Sequence, residues 1–201
     1  MKKLFPAVLL CLPFAFNVQA DETGTATDGD KRRVELVGSL GLTTGGDELA
    51  SLEFVDGDDA DIKAGGLFSI AGGLGYQLPT SPLYLQSTIG YHFDAVNAEN
   101  ADASFSRVPF ELLAFYTADQ FRVGGGLSYH LSPELEFELD GVGKESIEFD
   151  DAAGLVLQAD YLATPKVGFG LRAVFIEYDT GQNGSEAVDG NQFGLQATIF
   201  L

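Results

Sequence analysis

From residue 34 onward the chain alternates. Val34, Leu36, Leu40 and Leu42 share one parity, with Glu35, Ser39, Gly41 and Thr43 on the other. A two-residue period is the signature of a strand with one apolar face. It recurs over 34–44, 66–78, 83–94, 105–117, 121–139, 146–162, 167–178 and 191–201, which predicts eight strands. Short connections at 79–82, 118–120 and 163–166 alternate with long ones at 45–65, 95–104, 140–144 and 179–190. Strands joined in this way make an up-and-down meander with the long loops at one end. The last strand carries Phe193, Leu195, Ala197, Ile199 and Leu201 on its apolar parity and keeps the pattern to the final residue. A terminal strand of that kind is expected to be paired on both edges, since an unpaired one frays.

Alternation alone leaves two architectures open: a soluble barrel with its apolar side inward, or a membrane barrel with that side outward. The aromatic positions separate them. Alternating strand directions place Tyr76, Tyr116, Phe121, Tyr161 and Phe169 near the short turns. Phe68, Tyr91, Phe93, Phe110, Tyr129, Phe149, Phe175 and Phe193 fall near the long loops, with mainly aliphatic residues and glycine between the bands. Two aromatic girdles around an aliphatic belt match the two interfaces of a bilayer. Arg107, Glu111, Arg122, Asp160 and Arg172 all take the opposite parity. An Arg turned to lipid at the midplane would cost ~2–4 kcal/mol, and an eight-stranded lumen only just holds its own side chains. The expected fold is therefore all-β: an eight-stranded antiparallel up-and-down transmembrane β-barrel over 34–201.

The residues before the barrel agree with an exported chain. Lys2 and Lys3 precede an apolar stretch from Leu4 to Phe16, and Val18 and Ala20 occupy the small-residue positions before Asp21. This predicts a signal peptide over 1–20, cleaved after Ala20, followed by a flexible lead-in at 21–33. The stretch is shorter than the ~20 residues a spanning helix requires. Cys11 is preceded by Leu10 rather than a small residue, against a lipoprotein site. It is the chain's one cysteine, so the barrel is expected to stand without disulfides.

Charge narrows the function classes. The chain carries 30 acidic against 11 basic residues, a formal charge of −19, and loss of Lys2 and Lys3 makes the balance more negative still. Nucleic acid, which requires Lys and Arg, is excluded as a partner. No Walker, dinucleotide, zinc or nucleophile-elbow motif occurs, and no cofactor is expected.

With its strands, girdles and closing "GLQATIFL", the chain resembles the small eight-stranded outer-membrane proteins of Gram-negative bacteria, the OmpA-, OmpX- and OmpW-type barrels. The resemblance covers 34–201 and implies a monomeric cell outer-membrane protein surrounded by lipid and lipopolysaccharide. It also implies that the apolar residues Phe193, Leu195, Ala197, Ile199 and Leu201 are read by the barrel assembly machinery. Leu201 stands where those proteins usually have Phe, and Phe200 comes one residue early.

Three candidate sites follow. Asp56, Asp58, Asp59 and Asp61 suggest a weak divalent-cation site, although the residue eleven after Asp56 is Leu67 and not the Glu of an EF-hand loop. His130 and Ser132 have the His-x-Ser spacing of the outer-membrane lipid A deacylases, which resemble this architecture; Pro133 replaces the Asn of that family, and His130 has lumen parity. No catalysis is expected from the pair. The third is a lumen polar network of His92, Arg107, Glu111, Arg122, His130, Asp160 and Arg172, with Glu111 and Asp160 pairing Arg122 and Arg172. A turn centred between Ala118 and Asp119 would set Arg107 opposite His130, and a count across 95–104 sets His92 beside Arg107. The many lumen glycines, such as Gly75, Gly124 and Gly170, leave room for a narrow solute path, the channel alternative to a structural or surface-interaction role. The alternation of 134–139 and 145–149 continues past the girdle. It predicts a projecting hairpin with one apolar face, offered to lipopolysaccharide or a partner or else packed on neighbouring loops.

Overall fold

The computed structural model describes residues 34–53, 59–97, 101–139, 143–180 and 187–201; the predicted leader and lead-in lie outside them. The strands are β1 (Val34–Thr44), β2 (Glu48–Glu53), β3 (Asp59–Lys63), β4 (Leu67–Gln77), β5 (Leu83–Asn97), β6 (Ala101–Ala118) and β7 (Phe121–Leu139). They continue with β8 (Gly143–Glu148), β9 (Ala152–Thr164), β10 (Val167–Phe175), β11 (Glu177–Tyr178), β12 (Val188–Asp189) and β13 (Gln192–Phe200). Eight of them form the wall in the order β6-β5-β4-β1-β13-β10-β9-β7, and pairing of β6 with β7 closes the ring. Every pairing around it is antiparallel. The protein is an eight-stranded antiparallel β-barrel.

Closure holds the terminal strand. β13 pairs with β1 from Thr44↔Phe193 to Val37↔Phe200 and with β10 on its other edge. The ladder extends one step further, because the Leu201 N–H donates to the Leu36 carbonyl at 2.9 Å. Outside, the wall is apolar: Leu171 is 66% and Leu195 62% exposed, and Tyr76, Tyr116, Phe121, Tyr161 and Phe169 all face outward near the short turns. Inside are Gln86, Thr88, Arg122, Ser128, Gln158 and Thr198, all buried. That inversion of a soluble protein's layout requires an apolar surrounding.

Four expectations need correction. The sixth wall strand begins at Ala152 rather than at 146; residues 143–148 form β8, which folds back on β7. Phe149 consequently leaves the girdle and is buried against Phe105 and Tyr178. The seventh ends at Phe175, and Tyr178 on β11 turns inward. Finally, the connection at 118–120 is a two-residue turn in which Ala118 pairs with Phe121 and Asp119 takes φ 50°. Asp tolerates the left-handed region that tight hairpin turns use. The turn therefore centres one residue later than the sequence count, and Pro109, not Arg107, faces His130.

A bulge decides the projecting hairpin. Between Val108↔Leu131 and Ser106↔Glu134, β7 spends one residue more than β6, with Ser132 at φ 46°. An extra residue flips every side chain beyond it to the other face. Leu135 turns inward and is buried, and Phe137 packs beside it, while Glu134, Glu136 and Glu138 turn outward. Leu135 and Phe137 on the hairpin's apolar side thus pack on neighbouring loops, while Ile147 remains 43% exposed. On the polar side Lys144 donates to Glu136 at 2.7 Å, and that hydrogen bond holds the ammonium above its ordinary value. The sign follows: the contact is complete below the ordinary lysine range and is lost as pH rises past the raised value. Both partners are well exposed, so salt screens it.

Candidate functional site

The lumen is filled by three tiers of side chains, each built from residues that alternate inward along the wall. The lowest is a caged arginine. Arg122 and Asp160 are directly opposed across β7 and β9, and the guanidinium Nε donates to Asp160 Oδ2 at 2.7 Å. Its planar face lies among the rings of Phe115, Phe200 and Tyr84, at 4.1, 4.7 and 5.3 Å from their centroids. Tyr84 also meets Phe200 edge-on at 6.1 Å. The position of Phe200 now has a physical reason: it is the buried, lumen-facing residue that stacks on Arg122, and Leu201 faces out beside it, 64% exposed. Phe193, Leu195 and Ile199 also face outward, and Ala197 is half-buried between them.

The middle tier continues upward as a hydrogen-bonded chain. Gln158 Nε2 donates to both Asp160 oxygens, at 2.9 and 3.1 Å, and its Oε1 accepts from Arg172 Nη1 at 2.9 Å. Arg172 Nη2 then crosses the lumen to Glu111 Oε1, forming the second ion pair. Ser128 Oγ donates to the same carboxylate oxygen at 3.1 Å, and Thr88 Oγ1 approaches the other at 3.5 Å. Each acid therefore has one arginine and at least one neutral donor, as buried carboxylates require.

The upper tier holds the histidines. His92 and Arg107 are paired across β5 and β6, and Thr43 Oγ1 lies 2.9 Å from His92 Nε2. Arg107 Nη2 spans the barrel to Gln192 Oε1 at 3.1 Å. His130 Nδ1 lies 2.6 Å from the Tyr178 hydroxyl. Above this tier Phe105, Leu135, Phe149, Ile176 and Tyr178 pack with Ile62 and Ala64 into an apolar cap. Backbone bonds stitch the cap from above: the Asp47 N–H donates to the Asp189 carbonyl at 2.7 Å and the Gly65 N–H to the Gly45 carbonyl at 3.0 Å. Tyr178→Phe leaves the buried His130 without its partner and is expected to cost about 1–3 kcal/mol, read as a lower urea midpoint of the refolded barrel.

Among the described residues, the space beside the lumen glycines is taken up by neighbouring atoms. At Gly75 the ring of Tyr84 fills the space a Cβ would take, and at Gly170 the Asp160 carboxylate does so. The cavity left between His92, Glu111, His130 and Arg172 has a volume of about 30 Å³, room for a water or two.

The other candidates separate. His130 is buried in the lumen, whereas Ser132 is exposed at the bulge, its N–H donating to Asp151 Oδ1 at 2.9 Å. They do not form a nucleophile–base pair. Asp56 and Asp58 lie outside the described residues, and the backbones of Asp59 and Asp61 pair with Glu53 and Ser51. Among the described residues, no group of three or more His, Cys, Asp or Glu is placed to hold a metal ion.

Sequence reasoning missed the bridging amides Gln86, Gln158 and Gln192 and the inward aromatics Tyr84, Phe105, Phe115, Tyr178 and Phe200. Parity was the available signal for most of them. Tyr84 stands between the outward-facing Leu83 and Leu85, and Phe115 between the outward-facing Ala114 and Tyr116, so their rings can only point into the lumen.

A family model described as an outer membrane protein beta-barrel domain matches residues 7–199. Among solved structures, the chain is similar to Ail, the attachment invasion locus protein of Yersinia pestis, with 8% identity and a TM-score of 0.52 over 84% of this chain and 97% of that one. It is also similar to Neisserial surface protein A, with 14% identity and a TM-score of 0.46 over 83% and 96% of the two chains. A third is AlkL, solved in lipid bilayers, with 16% identity and a TM-score of 0.43 over 90% and 96%. No curated protein matches the sequence.

Proposed function

The chain belongs to the outer membrane β-barrel domain family, and from that premise we propose that it serves the cell envelope as a non-catalytic structural and surface-interacting barrel. The observation that carries this reading is the filled lumen. Two buried ion pairs, an aromatic floor and an apolar cap leave a void of about 30 Å³ in the polar interior. A small-solute channel needs a continuous aqueous path, and a lipid A deacylase needs its His and Ser on one lipid-accessible face.

Under this proposal the signal peptide at 1–20 delivers a monomer to the barrel assembly machinery, which reads the apolar residues of β13. The wall then meets outer-membrane lipid and lipopolysaccharide. The surface offered outward is acidic, since the bulge turns Glu134, Glu136 and Glu138 to the same side as Glu148. Contacts there favour cationic groups or phosphates bridged by divalent ions.

Planar-bilayer recording on the refolded protein tests the proposal. No discrete conductance is expected. Stepwise conductance that changes in Arg122→Ala or Glu111→Ala would replace the structural reading with a channel. Altered lipid A acylation on overexpression would replace it with an enzyme.

A further inference from the structure

Every wall strand is paired on both edges, but β8 is not. It pairs with β7 from Glu134↔Glu148 to Leu139↔Gly143, and no strand among the described residues lies on its other side. All 6 of its residues are exposed. The direction of each backbone group follows from the residues just beyond it. The Phe149 N–H donates to the Pro133 carbonyl at 2.9 Å, on the β7 side, and the Asp150 N–H donates to the Asp179 carbonyl at 2.7 Å, on the opposite side. Alternation along an antiparallel strand then turns the N–H and C=O of Gly143, Glu145 and Ile147 to β7, and those of Lys144, Ser146 and Glu148 to the open edge. That edge is a template for one more strand, and Asp179 marks where it ends.

The side chains along the edge define what an added strand carries. On the outer face Glu148 stands directly opposite Glu134, and like charges so placed repel. The hairpin's one basic residue, Lys144, is held by Glu136. Among the described residues neither Glu148 nor Glu145 has a cation within ion-pair distance. On the inner face the half-exposed Ile147 lies opposite the buried Leu135, and Glu145 opposite Phe137. Lys or Arg on an added strand relieves Glu148 and Glu145, and an apolar residue covers Ile147. A second copy of the chain fits less well. Paired antiparallel about Ser146, its Lys144 meets Glu148 but its Glu145 meets Ile147, and each molecule brings a formal charge of −19. Glycans and lipids have no peptide backbone to pair.

We propose, resting on the surface-interacting reading above, that β8 is a strand-addition site for an extended cationic segment of another protein. Run antiparallel, the segment carries Lys or Arg beside Glu148 and Glu145, an apolar residue beside Ile147 and an acidic one beside Lys144. Backbone hydrogen bonds supply the affinity, and the two carboxylates select the partner.

The probe is a capped peptide, Lys-Val-Thr-Lys-Glu-Thr, titrated into the refolded protein while backbone amide exchange is followed by NMR. Exchange at Lys144, Ser146 and Glu148 is expected to slow roughly tenfold or more at saturation. The peptide with both lysines replaced by glutamate should bind at least roughly tenfold more weakly, as should one methylated at the nitrogens of its first, third and fifth residues. Ser146→Pro, whose lost N–H faces away from β7, should do the same, with unheated gel mobility reporting that its barrel folds. No slowing at these amides with about 1 mM peptide overturns the proposal. So does binding that survives methylation, which is charge adsorption on the acidic face. Slowing that grows with protein concentration and needs no peptide also overturns it, and makes the occupant a second copy. The methylated peptide leaves the protein's sequence untouched, so it decides even where Ser146→Pro fails to fold. Conductance and lipid A acylation decide the envelope reading separately, so a silent edge on a non-conducting barrel removes this site alone.

Discussion

Arg122→Ala is expected to lower the unfolding free energy of the refolded barrel by about 3–5 kcal/mol. The substitution leaves Asp160 buried at the floor with its cation gone and only Gln158 donating to it. It also empties the space between Phe115, Phe200 and Tyr84, whose contacts with the guanidinium are desolvated and correspondingly strong. The measurement is a urea titration followed by the mobility difference between unheated and boiled samples on a denaturing gel. A second protein separates charge from packing. Arg122→Met combined with Asp160→Leu removes both ions and keeps apolar volume, and it should recover most of the loss. A loss under about 1 kcal/mol in Arg122→Ala would mean that water reaches the floor and screens the acid, contrary to a sealed lumen.

Leu157→Arg is expected to cost about 2–4 kcal/mol in lipid vesicles. Leu157 is 58% exposed on the outer wall, between Gly125 on β7 and Ala173 on β10, away from both girdles. Leu157→Ala at the same position retains an apolar surface and sets the baseline for lost side-chain area. An arginine tolerated as well as alanine would place this face in water and reverse the inside-out assignment. Heat-modifiable gel mobility reports folding in both proteins, and the titration reports its free energy.

The wall was legible in the order of residues alone. Alternation fixes which side chains share a face, and in a closed barrel that is a two-way choice made once for all strands. Segregated aromatics and inward parity of Arg107, Arg122 and Arg172 settle the choice, because lipid penalises charge far more than a lumen does. The strand count, the closure and the outward position of Leu195 and Ile199 could be read for that reason.

What parity could not reach was anything that depends on register or on a break in the alternation. One left-handed residue, Asp119, moved the β6–β7 register and put Pro109 in the place of Arg107. One extra residue at Ser132 turned the apolar side of a hairpin from the outside world into the cap of the lumen. Parity named Glu111 and Arg172 as inward residues, and only the barrel's closure made them neighbours, since three strand-to-strand steps separate β6 from β10 along the wall. Phe200 belongs to the same class. In the sequence it is an aromatic one place early; in the folded barrel it is a wall of the arginine cage. A strand's faces are a local property of the chain, but what meets across a lumen is decided by closure, register and bulges acting together.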